Sequence, residues 1–319
     1  MEHIVYTNGL KKSYYSKGKT IEAVRGVNLA VRSGEIFGFL GPNGAGKTTT
    51  LRMLTTLLKP DAGEATLVGC DLLKAPQQLR EHIGYVSQAG GSDRQVTAWE
   101  DLLLQGQLYG LSRHNAAERA KALILALDLE SVADRKASTY SGGQRRRLDI
   151  ALGMMHQPKL LFLDEPTTGL DPQNRARLWD EVRRLRDNGV TIFLTTHYMD
   201  EADALADRIA IMDQGTIVAQ GSPKELKRQV AGDLVLLGLE ENGSMSGKAL
   251  QLLKTQQYVR EAAYEQGKLR LYVHEGEATL PDILRLLDSA QIGLKTVSLS
   301  QPTLDDVFLR QTGRSLQDN

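Results

Sequence analysis

The sequence predicts an α/β domain of mostly parallel sheet with a helical insert, followed by a smaller α+β domain. Three observations predict it. A glycine-rich segment, GPNGAGKTTT (41–50), separates an apolar strand pattern from a helical one. Up to about residue 222 apolar strand patterns alternate with amphipathic helical ones, the mark of a mostly parallel sheet. Past the turn-rich QGSPKEL (220–226) the pattern changes to short strands and two helices. The expected division is therefore 1–222 and 223–319, with the helical insert at about 92–156.

Glu35 to Leu40 reads as a strand entering the glycine-rich segment, and Leu51, Leu54 and Leu58 mark a helix that runs until Lys59-Pro60. Gly41, Gly46, Lys47 and Thr48 stand at the positions of a phosphate-binding loop, G-x-x-x-x-G-K-[ST]. Backbone N–H groups must wrap closely around phosphate oxygens there, and Cβ atoms would obstruct them. The predicted cradle is Gly41, Pro42, Asn43, Gly44, Ala45 and Gly46, with Lys47, Thr48 and Thr49 opening the helix. Lys47 can reach the β- and γ-phosphates and Thr48 can ligate Mg²⁺. The loop alone does not distinguish ATP from GTP.

Between about 97 and 156 the strands disappear. TAWE (97–100) and SGGQ (141–144) have the form of capping boxes, each followed by helical periodicity. KLLFLDE (159–165) is a continuous apolar run, as in a strand covered on both faces. Leu178, Val182 and Leu185 mark the next helix, which ends at Asn188-Gly189, and VTIFLTTH (190–197) is the next strand. Asp164, Glu165 and His197 thus fall at strand carboxyl ends, where open α/β sheets bind ligands. In the tail, strands near 234–239, 258–264, 269–275 and 294–300 and helices near 247–255 and 281–290 are expected, with a turn at Glu265–Lys268. That order, β-α-β-β-α-β, is the ferredoxin-like arrangement.

Lys plus Arg equals Asp plus Glu, 39 each, so no global field attracts nucleic acid. The longest run free of charged residues, Asn188 to Met199, is twelve residues and too short to span a bilayer. The N-terminal stretch lacks the long apolar core of a secretory signal. The single cysteine, Cys70, reads as a packed small hydrophobe in a reducing compartment. These features predict a cytoplasmic chain, with any membrane spans supplied by another protein.

The phosphate loop needs partners. Asp164, closing its strand, is placed to hold Mg²⁺, and Glu165 beside it can polarise the attacking water as a general base. Ser141, Gly142 and Gly143 open a helix whose N-terminus can receive an anion. A second γ-phosphate receptor makes sense if it serves a nucleotide held by another copy of the domain. Taken alone, S-G-G-Q also fits an ordinary capped helix with a basic first face.

GPNGAGKT, Gln88 in GYVSQ, YSGGQRRRL, LLFLDEP, GLDP and TTHYMDEAD occur in the order and spacing of an ATP-binding cassette (ABC) transporter ATPase. The resemblance covers roughly residues 3–222 and is greatest to subunits of the daunorubicin/doxorubicin-resistance (DrrA-like) type. The cues for that type are VTAWEDLLLQGQLYGL, the tyrosine heading the signature, RRRLD and QPTLDDVFLRQTGR. The resemblance implies ATP and Mg²⁺ as ligands. It implies that Tyr14 stacks on adenine, with Tyr15 as a substitute, and that Gln88 contacts Mg²⁺ and senses the γ-phosphate. Ser141, Gly142, Gly143 and Gln144 would complete the partner subunit's site, Asp171 would cross the dimer interface, and His197 would contact the γ-phosphate. It further implies an ATP-sandwiched homodimer at the cytoplasmic membrane face, driving a separate permease for export of a drug-like or lipophilic substrate. Tyr140 for the common Leu and GLD for the common ALD are departures that remove no catalytic group. A cassette acting on ribosomes or nucleic acid is the alternative. DNA-repair cassettes carry a long coiled-coil insert, whereas 53 positions separate Gln88 from Ser141 here. Ribosome-acting types usually carry two cassettes in one chain. A GTPase is disfavoured because no N-K-x-D element occurs.

Overall fold

The computed structural model describes residues 3–312 apart from 17, 230, 231, 241, 242, 266 and 301. The chain forms two compact units, Met1–Ser222 and Pro223–Asp318.

In the first unit, β1 (His3–Ser16) and β2 (Lys19–Arg32) form a long antiparallel hairpin before β3 (Ile36–Leu40) leads into the glycine loop and α1 (Lys47–Leu54). Next come β4 (Ala62–Leu67), β5 (Cys70–Asp71), α2 (Pro76–His82) and β6 (Ile83–Val86). The helical insert holds α3 (Ala98–Leu108), α4 (Arg113–Ala126) and α5 (Gly142–Gly153). The unit closes with β7 (Leu160–Asp164), α6 (Pro172–Asp187), β8 (Thr191–Thr196), α7 (Met199–Leu205), β9 (Arg208–Asp213) and β10 (Thr216–Gly221).

Two sheets result. One has the order β10-β9-β3-β8-β7-β6 and is parallel except for the β10 edge. The other, β2-β1-β4-β5, is antiparallel. This corrects the expectation that strands and helices alternate from the start: no helix separates the strands of residues 3–32. Val5, Leu10, Val24 and Val27 of the antiparallel sheet share one core with Leu51 and Met53 of α1 and with Phe37, Phe39, Phe162 and Phe193. The parallel register pairs Leu40 with Thr196 and Asp164 with Thr195, which sets the carboxyl ends of β3, β7 and β8 level. The glycine loop, Asp164-Glu165 and His197 therefore emerge side by side.

Helix α1 ends at Leu54, a turn before the expected Pro60 stop. Thr56 adopts φ 63°, and the N–H groups of Leu57 and Leu58 return to the Arg52 carbonyl. Such a left-handed closure satisfies the last helical carbonyls. Leu58 thus reaches the core from a turn.

The second unit runs α8 (Pro223–Gln229), β11 (Asp233–Leu239), α9 (Gly243–Lys254), β12 (Val259–Glu265), β13 (Lys268–Val273), α10 (Gly276–Ser289), β14 (Leu294–Ser300) and α11 (Leu304–Thr312). Its antiparallel sheet has the order β12-β13-β11-β14, so the sequence motif β-α-β-β-α-β closes in the ferredoxin-like manner. Of the expected turn at 265–268, Gln266 lies outside the described residues, as do Gln301, Gly313 and Arg314 of the QPTLDDVFLRQTGR segment. Helix α10 begins five residues before Pro281, which sits inside it. The Asp233 carboxylate accepts the Gly276 N–H at 2.7 Å and so opens the helix early. Helix α11, unanticipated from the sequence, packs on α8. Among the described residues no helix is long and apolar enough to cross a membrane.

Candidate functional site

Gly46 caps α1 with φ 107°, and a Cβ there would run into the Ala23 carbonyl of β2. The last turn of the loop thus requires glycine twice over, for its dihedral and for the close strand. The Lys47 ammonium is buried and donates to the carbonyls of Gly41 (2.6 Å) and Pro42 (3.0 Å). Burial lowers its pKa, an effect that the nearby Glu165 and Asp164 charges oppose. Phosphate oxygens offer that cation stronger, charge-assisted partners than neutral carbonyls do. Pro42 and Ala45 are buried, Asn43 and Gly44 are exposed, and Thr48 and Thr49 are half-buried on the first turn of α1.

Glu165 is where the segments meet. Its Oε1 lies 3.8 Å from Lys47 Nζ and 3.3 Å from His197 Nδ1, while its Oε2 accepts from Gln88 Nε2 (3.1 Å) and Thr168 Oγ1 (3.2 Å). The Glu165 backbone adopts φ 45°, a left-handed conformation that costs about 1–2 kcal/mol for a residue with a Cβ. Thr195 of β8 fixes it there, accepting the Glu165 N–H at its carbonyl and at its hydroxyl, each at 3.1 Å. The same hydroxyl donates to Asp164 Oδ1 at 2.6 Å, so one threonine orients both carboxylates. His197 Nδ1 is buried without a hydrogen-bond partner, and its ring lies against Tyr198 at 4.1 Å. A carboxylate held by backbone strain beside a buried ammonium, an amide and an unsatisfied imidazole can take a proton from water.

Tyr14 pairs with Ile21 in the β1–β2 ladder, two residues from Ala23, whose carbonyl covers Gly46. Its ring is 39% exposed and Tyr15 is 78% exposed. Both residues are thus exposed on the sheet whose Ala23 carbonyl covers Gly46.

A second group gathers at the N-termini of α5 and α6. Ser141 Oγ accepts the Gln144 N–H (3.2 Å) and Gln144 Oε1 accepts the Ser141 N–H (3.0 Å). This capping box leaves the first two helical N–H groups, on Gly142 and Gly143, unclaimed by it. Asp171 caps α6, accepting from Asn174 N at 2.9 Å, and this bond holds its carboxyl below the usual range. A Cβ on Gly143 would meet the Asn174 side chain, so the two helix starts touch. Among the described residues no hydrogen bond or ion pair joins this group to Lys47 or Glu165. The structure brings Lys47, Gln88, Asp164, Glu165 and His197 together and leaves Ser141, Gly142, Gly143, Gln144 and Asp171 as a separate cluster, in which Ser141, Gly142 and Asp171 are exposed, Gln144 is half-buried and Gly143 is buried.

Sequence reasoning passed over Thr195, Thr168 and Arg146. Thr195 is one of three threonines in β8 and Thr168 lies in the loop after β7, so no local pattern singles out either. Arg146 is one of three consecutive arginines and the one that is buried.

The sequence matches the family described as ABC transporter over residues 24–168, and that described as ATP-binding protein DrrA1-3-like, C-terminal domain, over residues 221–312. It is 42% identical to the daunorubicin/doxorubicin resistance ATP-binding protein DrrA of Streptomyces peucetius, covering 98% of this chain and 94% of that one. It is 38% identical to the Nod factor export ATP-binding protein I of Rhizobium sp. (strain N33), covering 97% of each. The ATP-binding cassette MJ0796, in a dimeric post-hydrolysis state bound to ADP and Pi, superposes with a TM-score of 0.63 at 26% identity. That match covers 68% of this chain and 98% of that one. The cassette fold is thus shared, and the chain belongs to the ABC transporter family as an ATP-hydrolysing subunit of the DrrA-like kind.

Proposed function

We propose that this chain powers export through a separate membrane permease, working as a head-to-tail pair that holds ATP between its two copies. The convergence of Lys47, Gln88, Thr168 and His197 on Glu165 carries the reading. Gly41 to Gly46 wrap the phosphates, Lys47 and Thr49 bind them, and Tyr14 stacks on the adenine. Glu165 takes a proton from the attacking water, and His197 touches the γ-phosphate. Ser141, Gly142, Gly143 and Gln144 of one copy close the other copy's site, and Asp171 lies along the seam. The helix starts, where Ser141 and Asp171 are exposed, suit such a closure.

Among the described residues no cluster of three or more His, Cys, Asp or Glu is placed to hold a metal. That fits Mg²⁺, which prefers one carboxylate, water and nucleotide phosphates over an all-protein cage. Thr48, Asp164 and Gln88 would hold it, and when bound it neutralises charge on the phosphates. Drug-like or lipophilic cargo is inferred from the names of the relatives and belongs to the permease, which also keeps the chain at the cytoplasmic membrane face.

Tyr14→Ala is expected to weaken ATP binding by roughly 5- to 100-fold, the range of a lost base–aromatic stack, while Tyr14→Phe stays near wild type. Equilibrium titration with a fluorescent ATP analogue checks both.

The unit from Pro223 onward is proposed to serve assembly or regulation. All groups assigned to hydrolysis lie between Tyr14 and His197, and the second unit has its own core of Val235, Leu237, Leu253, Leu271, Ile283 and Leu287. Its edge strand β14 is largely exposed, with Val297 at 40%. Affinity-tagged full-length chain, recovered from membranes, is expected to bring its permease with it. A chain ending at Ser222 is expected to bind ATP and to recover less permease or less second copy. Recovery of no membrane protein by the full-length chain removes the transporter reading. Loss of ATP binding by a folded truncation removes the reading of the second unit.

A further inference from the structure

Arg146 and Asp149 lie one turn apart on α5 and are 7% and 6% exposed. Neither belongs to the site assigned above. The Arg146 guanidinium donates to three backbone carbonyls from separate segments. Nη1 reaches Ser87 O at 2.6 Å, Nη2 reaches Asp164 O at 2.9 Å, and Nε reaches Pro166 O at 2.9 Å. Asp149 Oδ1 accepts the N–H groups of Gly91 and Ser92, each at 2.9 Å. Gly90, the residue before them, has φ 81° and lies so close that a Cβ would meet Asp149 Oδ2 at 2.6 Å. The loop that carries Gln88 is thus fastened to α5 at both ends, by the arginine before Gln88 and by the aspartate after it. The same guanidinium grips the carbonyls on either side of Glu165.

A buried cation whose hydrogen bonds all go to neutral carbonyls is an expensive way merely to anchor a helix, because desolvation opposes it. What the planar fork adds is geometry: one rigid group fixes three carbonyls with respect to one another, which a lysine cannot do. Here those carbonyls set the distance between Gln88 and Glu165, whose side chains meet at 3.1 Å.

We propose that Arg146 and Asp149 are positioning residues that lock the Gln88 loop and the Glu165 carboxylate to α5 and so set the Gln88–Glu165 contact. The proposal rests on the reading of Glu165 as the base.

The test uses full-length Arg146→Lys, Asp149→Ala, Gln88→Ala and the Arg146→Lys/Gln88→Ala double variant. Amide hydrogen exchange over residues 87–93, kcat, KM for ATP and the melting temperature are measured for each. Arg146→Lys is expected to lower kcat roughly tenfold with KM within about threefold, the split of a group acting on the transition state rather than on binding. Exchange over 87–93 should quicken in both Arg146→Lys and Asp149→Ala. The double variant should be no slower than the worse single variant within about twofold, since coupled residues are non-additive. Unchanged exchange in Asp149→Ala, which removes the acceptor of the Gly91 and Ser92 N–H groups, overturns the clamp even if Arg146→Lys fails to fold. Faster exchange with wild-type kcat overturns the positioning role, and additive losses in the double variant overturn action through the Gln88 loop. A fully active Glu165→Gln instead removes the reading of the base, and the exchange measurement still decides the clamp.

Discussion

Glu165→Gln is expected to bind ATP as the wild type does and to lose at least about 10²-fold in kcat, the usual cost of removing a general base. Glutamine preserves the shape and most contacts. Gln88 Nε2 and Thr168 Oγ1 both donate to Oε2, so an amide oxygen at that position keeps both bonds. The amide nitrogen then replaces Oε1, beside His197 Nδ1, which has no hydrogen-bond partner. What glutamine cannot do is accept the proton of the attacking water. Lys47 loses a neighbouring charge at 3.8 Å but retains its two loop carbonyls, so phosphate binding survives. Steady-state ATPase assays beside equilibrium nucleotide titration separate the two effects. A variant with unchanged kcat would remove Glu165 from the role.

Ser141→Arg is expected to abolish ATPase activity with Lys47 and Glu165 untouched. Within its own chain Ser141 only caps α5, and losing a cap costs about 1 kcal/mol, too little to unfold the cassette. Loss of activity in a folded variant therefore reports on the partner's site, where an arginine in place of the small hydroxyl blocks closure over ATP. Mixing Ser141→Arg with Lys47→Ala tests this further. In the mixed pair one composite site carries both defects and the other carries neither, so rescue should reach at most one site. Ser141→Ala controls for the cap. Full activity of Ser141→Arg as a monomer would sink the composite-site reading.

The phosphate loop, the acid pair closing a buried strand and the two capping boxes were legible because each is a local device. A helix cap needs its hydroxyl and its carboxylate or amide three residues apart, and both Thr97–Glu100 and Ser141–Gln144 form the reciprocal bonds that this spacing permits. The tail's strand and helix order was legible for a similar reason, since periodicity switches from two to 3.6 within short segments. The hairpin of residues 3–32 was not, because its register shifts break the alternation that marks a half-buried strand. Helix α10 starts before Pro281 through a carboxylate 43 positions away in the chain, which no local pattern announces.

Spacing by itself determined that Asp164, Glu165 and His197 stand at strand ends of one α/β sheet and that Lys47 follows another strand through the glycine loop, because those strands are continuous apolar runs. Only the tertiary structure decided that Gln88, Thr168 and His197 converge on a single carboxylate, since parallel register sets the strand ends level. It also decided which of Arg145, Arg146 and Arg147 turns inward. Three successive arginines point 100° apart around a helix, and the face that meets the Gln88 loop is chosen by packing against residues 87–92 and 164–166, far off in sequence.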